Sequence, residues 1–241
     1  IMTTDTVPKQ AVRTLGAVTI GGMAKGAGML APALATMLVV VTTDAVIGSE
    51  ELDAALRAAS AVSFDRADSD GCMSTNDTVV LMASGASGVT PDLEAFTEEL
   101  KGLCTDLSLQ LLADAEGASH DIAVQTVNAA SVADALEVSR AVSRSNLFKT
   151  AIFGNDPNWG RVLSEVGTTK AAFEPNDLDV SINGVMVCRG CGVGEDRTLV
   201  DLASARQVTL TIDLKAGTQQ APIFTNDLTH DYVEENSAYS S

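Results

Sequence analysis

The chain has 241 residues, enough at about 100 to 200 residues per domain for one large or two modest domains with a buried core, which excludes a peptide or a disulfide-stapled miniprotein. At 46% apolar, 20% charged and 4% aromatic residues it is globular in composition, neither low-complexity nor disordered. Fifteen Lys+Arg against 32 Asp+Glu give a formal charge of -17, a surface that repels phosphate backbones and anionic lipid, so nucleic-acid and membrane-surface partners are excluded.

In chain order, Val12, Thr14, Val18 and Ile20 alternate as in a strand, and the chain then enters GGMAKGAGM, whose glycines call for close backbone approach. The β-branched run at 37–45 predicts a buried strand with Thr36 at its entrance. Gly48-Ser49-Glu50-Glu51 starts a helix with Leu52, Leu56 and Ala59 on one face, reaching about Val62. A polar loop, DRADSDGCMSTND, leads to a strand at 78–82. Next comes a long helix from Pro91 to about Ala115, with Phe96, Leu100, Leu103, Leu107 and Leu111 in register.

The texture changes near His120. The pattern predicts a strand at 122–127, a helix at 132–142, a strand at 147–153, a short helix near DPNWGR, and strands at 180–187, 208–214 and around Ile223. This mixed order argues α+β or layered α/β rather than a regular βαβ repeat, with a core domain at 1–118 and a C-terminal α/β domain at 119–241.

Several motifs read as structural. The longest apolar stretch, 27–41, is too short and too interrupted by Gly28, Pro32 and Thr36 to span a bilayer, so a soluble protein is expected. The N-terminus lacks both a signal-peptide pattern and an initiator Met, which suggests a fragment or a processed product. Four cysteines fit a reducing cytoplasm, and the single Cys188-Arg-Gly-Cys191 pair has no second pair to build a metal site and reads as a turn between strands. RADSDG imitates a calcium loop, but Arg66 stands where the first oxygen ligand is needed. Lys25 precedes Gly26 without a GK[ST] triplet, so GGMAKGAGM is no phosphate loop. His120 and His230 read as surface or helix-end residues, and Asp156–Arg161 as a turn with Pro157 near a helix start and Trp159 anchoring the core.

Thr36 is the residue with latent chemistry. A hydroxyl is a poor nucleophile without a base in reach; cleavage between Ala35 and Thr36 would supply one, the freed α-amino group of Thr36 itself. An ordinary strand-entry threonine is the alternative reading of the residue alone.

The segments AKGAGMLAPALATML, IMTTDTVPK, STNDT, DAEGA, FGNDPNWGRV and YVEENSAYSS run through the chain in an order that resembles the ornithine acetyltransferase family, the bifunctional glutamate N-acetyltransferases of arginine biosynthesis. The resemblance implies self-cleavage between Ala35 and Thr36 and an acetyl-Thr36 enzyme that takes acetyl from N-acetylornithine and passes it to glutamate. It implies substrate contacts from Thr3, Lys25, Thr36, Glu116, Asn236 and Ser241, and no metal or bound organic cofactor, with acetyl-CoA a second donor in bifunctional members. It further implies a layered α/β sandwich core of the self-processing acetyltransferase/aminopeptidase type with a smaller C-terminal α/β domain, and a cytoplasmic α2β2 assembly. The family's α segment extends well upstream of Ile1 and carries a Thr-Gly pair implied to form the oxyanion hole. Ser119 and His120 replace the Thr and Lys usual after the EGA motif. Two other outcomes stay open: a related self-processing aminopeptidase or amidohydrolase, and an inactive fragment lacking the oxyanion-hole segment.

Overall fold

A computed structural model describes residues 1–31, 37–74 and 76–238; Ala35, Thr36 and Ser241 lie outside the described residues. The chain divides into two compact units, Ile1–Glu116 and Gly117–Ser241.

The first unit is built on a four-stranded sheet in the order β1-β2-β3-β4. Strands β1 (Lys9–Leu15) and β2 (Val18–Lys25) form a hairpin through the two-residue loop Gly16-Ala17. Gly16 takes φ +60 at the first loop position, the left-handed geometry that matches strand twist. The hairpin splits the single run of alternation suggested by Val12 to Ile20: Val18 and Ile20 are buried, but Val12 is 70% exposed and the inward face of β1 begins with Lys9. Strand β3 (Leu38–Thr43) lies antiparallel to β2, and a crossover through helix α1 (Ser49–Ser60) brings β4 (Thr78–Ala83) parallel to β3. Helix α2 (Leu93–Ala113) starts where the Asp92 carboxylate accepts the Ala95 N–H, and it buries Phe96, Leu100, Leu103, Leu107 and Leu111 against β1, β2 and α1. Gly22 is one of the places where the glycine-rich segment needs close approach. A Cβ there would sit 3.0 Å from both Leu103 Cδ2 and Leu107 Cδ1.

The second unit holds a six-stranded sheet, order β10-β5-β9-β6-β7-β8. Strand β5 (Asp121–Ala129) is followed by α3 (Val132–Ser143), which packs on β5 and β10. The stretch expected as a strand at 147–153 is helix α4 (Asn146–Phe153). Its apolar run suits either state; Ser145 decides by accepting the Phe148 N–H at 3.3 Å as N-cap, and Phe148, Lys149, Ala151 and Ile152 then fall on one buried face. Asn158 caps α5 (Trp159–Val166), whose Trp159 packs at the edge of the core. Strands β6 (Asp179–Ile182), β7 (Val185–Arg189), β8 (Gly192–Val193), β9 (Gln207–Asp213) and β10 (Gln219–Asn226) complete the sheet; β5 and β9 are parallel, the other pairs antiparallel.

The last element, α6 (His230–Ala238), was not expected from the sequence and buries none of its residues fully. It is held at its start, where Thr229 Oγ1 donates to the Gly117 carbonyl at 2.6 Å and accepts the Tyr232 N–H at 3.0 Å. Gly117, at φ +62, leaves no room for a Cβ: one would lie 2.2 Å from Tyr232 N.

Among the described residues no helix is long and apolar enough to cross a membrane. The two cysteines of the CRGC turn sit apart in role. Cys188 is buried in β7, whereas Cys191 turns the chain at φ +59 and its thiol faces the Pro175 carbonyl.

Candidate active site

The site candidates of the first unit gather at the end of β2, where Lys25 leads into the turn Gly26-Ala27-Gly28. Gly26 adopts φ +145, a conformation that favours glycine. Its N–H is accepted by Asp5 Oδ1 at 2.7 Å, and the other oxygen of the same carboxylate accepts the Thr3 N–H at 3.1 Å. Asp5 therefore ties the MTTD segment to the KGAG turn. On the far side of the turn, the Ala27 carbonyl accepts the Glu116 N–H at 2.9 Å. The Glu116 carboxylate lies over Gly28, so close that a Cβ there would be 2.6 Å from Glu116 Oε2. Thr3, Lys25 and Glu116, far apart in sequence, thus belong to three segments joined at one four-residue turn.

Lys9 fastens this junction. Its ammonium, with no side-chain exposure, contacts Asp5 Oδ1 at 2.5 Å and Asp114 Oδ2 at 2.6 Å. Asp114 belongs to the DAEGA motif that carries Glu116, and it also accepts the Thr6 hydroxyl and the Thr6 N–H. Burial opposes ionisation of Asp5, but Lys9 and the Gly26 and Thr3 N–H groups outweigh it and hold the carboxyl at about 2. Asp114 is held below its ordinary value in the same way, against burial, by Lys9 and Thr6. Neither Asp5 nor Lys9 stood out in the sequence. Lys9 carried a usable signal, because the inward phase of β1 through Ala11 and Leu15 points it to the interior.

Lys25 is 7% exposed and lies near Asp77 of the STNDT motif. Burial pushes the Asp77 carboxyl up from its ordinary value, while the Met37 N–H and the Lys25 ammonium pull it down. Asp77 Oδ1 accepts the Met37 N–H at 2.9 Å, and the Thr78 N–H donates to the Met37 carbonyl at 3.0 Å. Beside Met37 is a cavity of about 210 Å³ with mixed walls, apolar from Leu30, Phe64 and Leu111 and polar from Asp65, Asp77 and Thr78. Asp70 of the calcium-like loop serves the backbone: its carboxylate accepts the N–H of Met29, a non-glycine residue at φ +54, and that of Cys72.

Asn236 is exposed on α6 of the second unit, where its amide donates to the Tyr232 carbonyl at 3.0 Å. Ala35, Thr36 and Ser241 lie outside the described residues. His120 is a correction: it is 8% exposed rather than a surface residue. Its Nδ1 is 2.7 Å from Asp227 Oδ2 and its Nε2 is 3.0 Å from the Leu202 carbonyl. The Ser119 hydroxyl shares Asp227, so serine and histidine converge on one carboxylate and the His120 nitrogen that a nucleophile would use is already engaged. This cluster fixes the chain at the base of β5 and does not form a catalytic triad.

The ArgJ family model matches residues 1–241. Over all 241 residues the chain is 64% identical to the arginine biosynthesis bifunctional protein ArgJ of Streptomyces coelicolor and 63% identical to that of Thermobifida fusca, and it spans 63% of the length of each. The crystal structure of the Bacillus halodurans arginine biosynthesis bifunctional protein matches with a TM-score of 0.78 at 33% identity, covering 84% of this chain and 98% of that one. The chain belongs to the ArgJ family.

Proposed function

We propose that the protein is a glutamate N-acetyltransferase of arginine biosynthesis that works through an acetylated Thr36 after cleavage between Ala35 and Thr36. The observation that carries this reading is the junction at 25–28, where the Asp5–Lys9–Asp114 ion cluster and the KGAG turn unite the segments bearing Thr3, Lys25 and Glu116. The substrates are amino acids with a carboxylate and an amine to be recognised. A desolvated ammonium at Lys25 suits the anionic end and the Glu116 carboxylate suits a cationic one, with the Thr3 hydroxyl orienting the molecule. Asn236 and Ser241 are assigned to substrate contact from the motif match alone.

In the reaction, the free α-amine of Thr36 takes the proton of its own hydroxyl as Oγ attacks the acetyl carbonyl of N-acetylornithine. The tetrahedral adduct collapses with cleavage of the C–N bond, the proton passes to the departing amine, and ornithine leaves an acetyl ester on Thr36. The glutamate α-amine then attacks that ester, N-acetylglutamate departs, and the proton returns to the threonine oxygen. The scheme draws on the α-amine of Thr36 and on the oxyanion hole implied for the α segment upstream of Ile1, and invokes no metal or organic cofactor. Acetyl-CoA enters as a second acetyl donor, in line with the bifunctional names of the relatives. The cavity beside Met37 has room for an acetyl group. We place the enzyme in the cytoplasm as an α2β2 assembly of the two cleavage products.

The test uses the full-length gene product. Intact mass should resolve a break before Thr36, and acetyl labelled in N-acetylornithine should appear in N-acetylglutamate with ping-pong kinetics. Thr36→Ala should abolish both cleavage and transfer, and Thr36→Ser should retain part of each. Cleavage at the same bond in Thr36→Ala would refute the assignment, and hydrolysis of the acetyl group without transfer to glutamate would favour the related amidohydrolase.

A further inference from the structure

Gly28 and Met29 divide two requirements of the turn between them. Glu116 lies over position 28, where a Cβ would be 2.6 Å from its Oε2, so glycine gives the carboxylate its clearance, although the φ of Gly28 is not positive. The left-handed conformation falls instead on Met29, at φ +54. A residue with a side chain is disfavoured there by about 5- to 30-fold in population, and such a conformation persists only where the surroundings determine it. Packing of the Met29 side chain does not supply that determination, because the residue is 42% exposed. The loop at 69–72 does: Asp70 Oδ2 accepts the Met29 N–H at 2.9 Å, and the Ser69 N–H donates to the Leu30 carbonyl at 2.7 Å.

The Ser69 bond is made by backbone alone, and any sequence could make it. The Asp70 bond needs a short side chain with an acceptor, and the same carboxylate shapes its own loop by accepting the Cys72 N–H at 3.0 Å through Oδ1. Asp70 thus presents a fixed oxygen to the non-glycine residue of this segment whose backbone is left-handed. From Met29 the constraint passes directly to the ligand side, through Gly28 beneath the Glu116 carboxylate and Ala27, whose carbonyl accepts the Glu116 N–H at 2.9 Å.

We propose that Asp70 is a positioning residue for substrate binding: by accepting the Met29 N–H it keeps the turn in the conformation that sets Gly28 beneath Glu116, without itself touching substrate. The inference rests on Glu116 meeting the cationic end of the substrate, as proposed above. Loss of the carboxylate lets Met29 leave the left-handed region, and apparent affinity then falls in proportion to the fraction of molecules still competent to bind. Glycine at position 29 has no such preference, so it makes Asp70 dispensable.

The experiment measures kcat and KM for N-acetylornithine, whose free amine is the cationic end, in the full-length gene product carrying Asp70→Ala, Asp70→Ala together with Met29→Gly, or Glu116→Gln. Asp70→Ala should raise KM by about 5- to 30-fold. Its kcat should stay within about threefold of wild type, because the substrate-bound enzyme is already in the competent conformation. Adding Met29→Gly should return KM to within about threefold of wild type. A smaller rise in KM for Asp70→Ala overturns the proposal; so does a larger fall in kcat, and so does a double variant that binds no better than Asp70→Ala. Should Asp70→Ala alone fail to fold, the double variant carries the test: it should fold and bind, and its failure to fold overturns the proposal, because the carboxylate would then be holding the unit and not the turn. Glu116→Gln separates the two readings. If its KM matches wild type, the role of Glu116 falls and this inference with it, whereas a raised KM in Glu116→Gln beside an indifferent Asp70→Ala overturns only the role of Asp70.

Discussion

Replacing Lys9 by methionine, close in length and without charge, tests the buried ion cluster. The variant leaves Asp5, with no side-chain exposure, and Asp114, at 6%, facing one another without the ammonium that both contact. Removing one partner of a buried ion pair costs about 3–5 kcal/mol, because the remaining charge stays desolvated. Asp5 keeps the Gly26 and Thr3 N–H groups and Asp114 keeps Thr6, which places the expected loss near the lower end, about 3 kcal/mol at pH 7. The pH dependence has opposite signs in the two proteins. In wild type the Asp5 carboxyl is lowered from 3.8 to about 2, so its contribution, about 2.5 kcal/mol at about 1.4 kcal/mol per pH unit, is present above about pH 4 and lost as pH falls toward 2. In Lys9→Met the two carboxylates repel, the folded state binds a proton more readily than the unfolded chain, and the deficit against wild type should shrink between pH 7 and pH 4. The only tryptophan, Trp159, lies in the second unit, so its fluorescence reports the wrong half; hydrogen exchange of the β1 and β2 amides across this pH range reads the right one. A deficit below about 1 kcal/mol at pH 7, or one that grows on acidification, would refute the reasoning.

Gly28→Ala places a methyl 2.6 Å from Glu116 Oε2 without asking for a left-handed backbone, so the flexible carboxylate should move and the fold should not. The expected result is a severalfold rise in KM for the amino-acid substrates with thermal stability nearly unchanged, and equal kinetics would remove Glu116 from the binding site. Burial pushes the Cys104 thiol up to about 12, and burial, followed by the neighbouring Cys191, pushes Cys188 up as well. Iodoacetamide at pH 8 should therefore label exposed Cys72 first and leave Cys104 unmodified in the folded protein, as peptide mass mapping can show; early labelling of Cys104 would contradict its burial.

Periodicity made the frame of both units legible because the relevant faces are apolar and regular: the five inward residues of α2, and the alternation of β5 and β9. It failed where two states shared one pattern or where a segment has little apolar face. LFKTAIF is apolar enough for a strand, and only the cap at Ser145 with its downstream helical burial selects α4. HDYVEENSA lacks a core-facing stripe and is anchored instead by Thr229 and Gly117, which sequence spacing does not reveal. In β1 the visible alternation through Val12 and Thr14 marked the outward face, since a charged residue, Lys9, occupies the buried phase. The motifs name segments that meet at the 25–28 turn, while the ion cluster that joins them depends on residues over a hundred positions apart in sequence. His120 shows the same limit: its partner Asp227 is brought to it only by the pairing of β10 with β5.

The burial of Lys9 and Lys25 also bears on how so acidic a chain could bind an acidic amino acid. A formal charge of -17 repels a glutamate dianion at long range, but exposed charges beyond about 8 Å are largely screened at physiological ionic strength. Inside the site the balance differs, because interactions between desolvated groups are screened far less. Lys9 is committed to two carboxylates and cannot serve a ligand without breaking the junction. Lys25, 7% exposed, has the Asp77 carboxylate nearby, and that carboxylate is already engaged with the Met37 amide. The two lysines thus differ in engagement: Lys9 neutralises the acids that assemble the turn, and Lys25 is the cation to which the proposed function assigns a substrate carboxylate. In the proposed enzyme, selectivity for amino acids then arises from short-range geometry at 25–28 and not from the charge of the whole molecule.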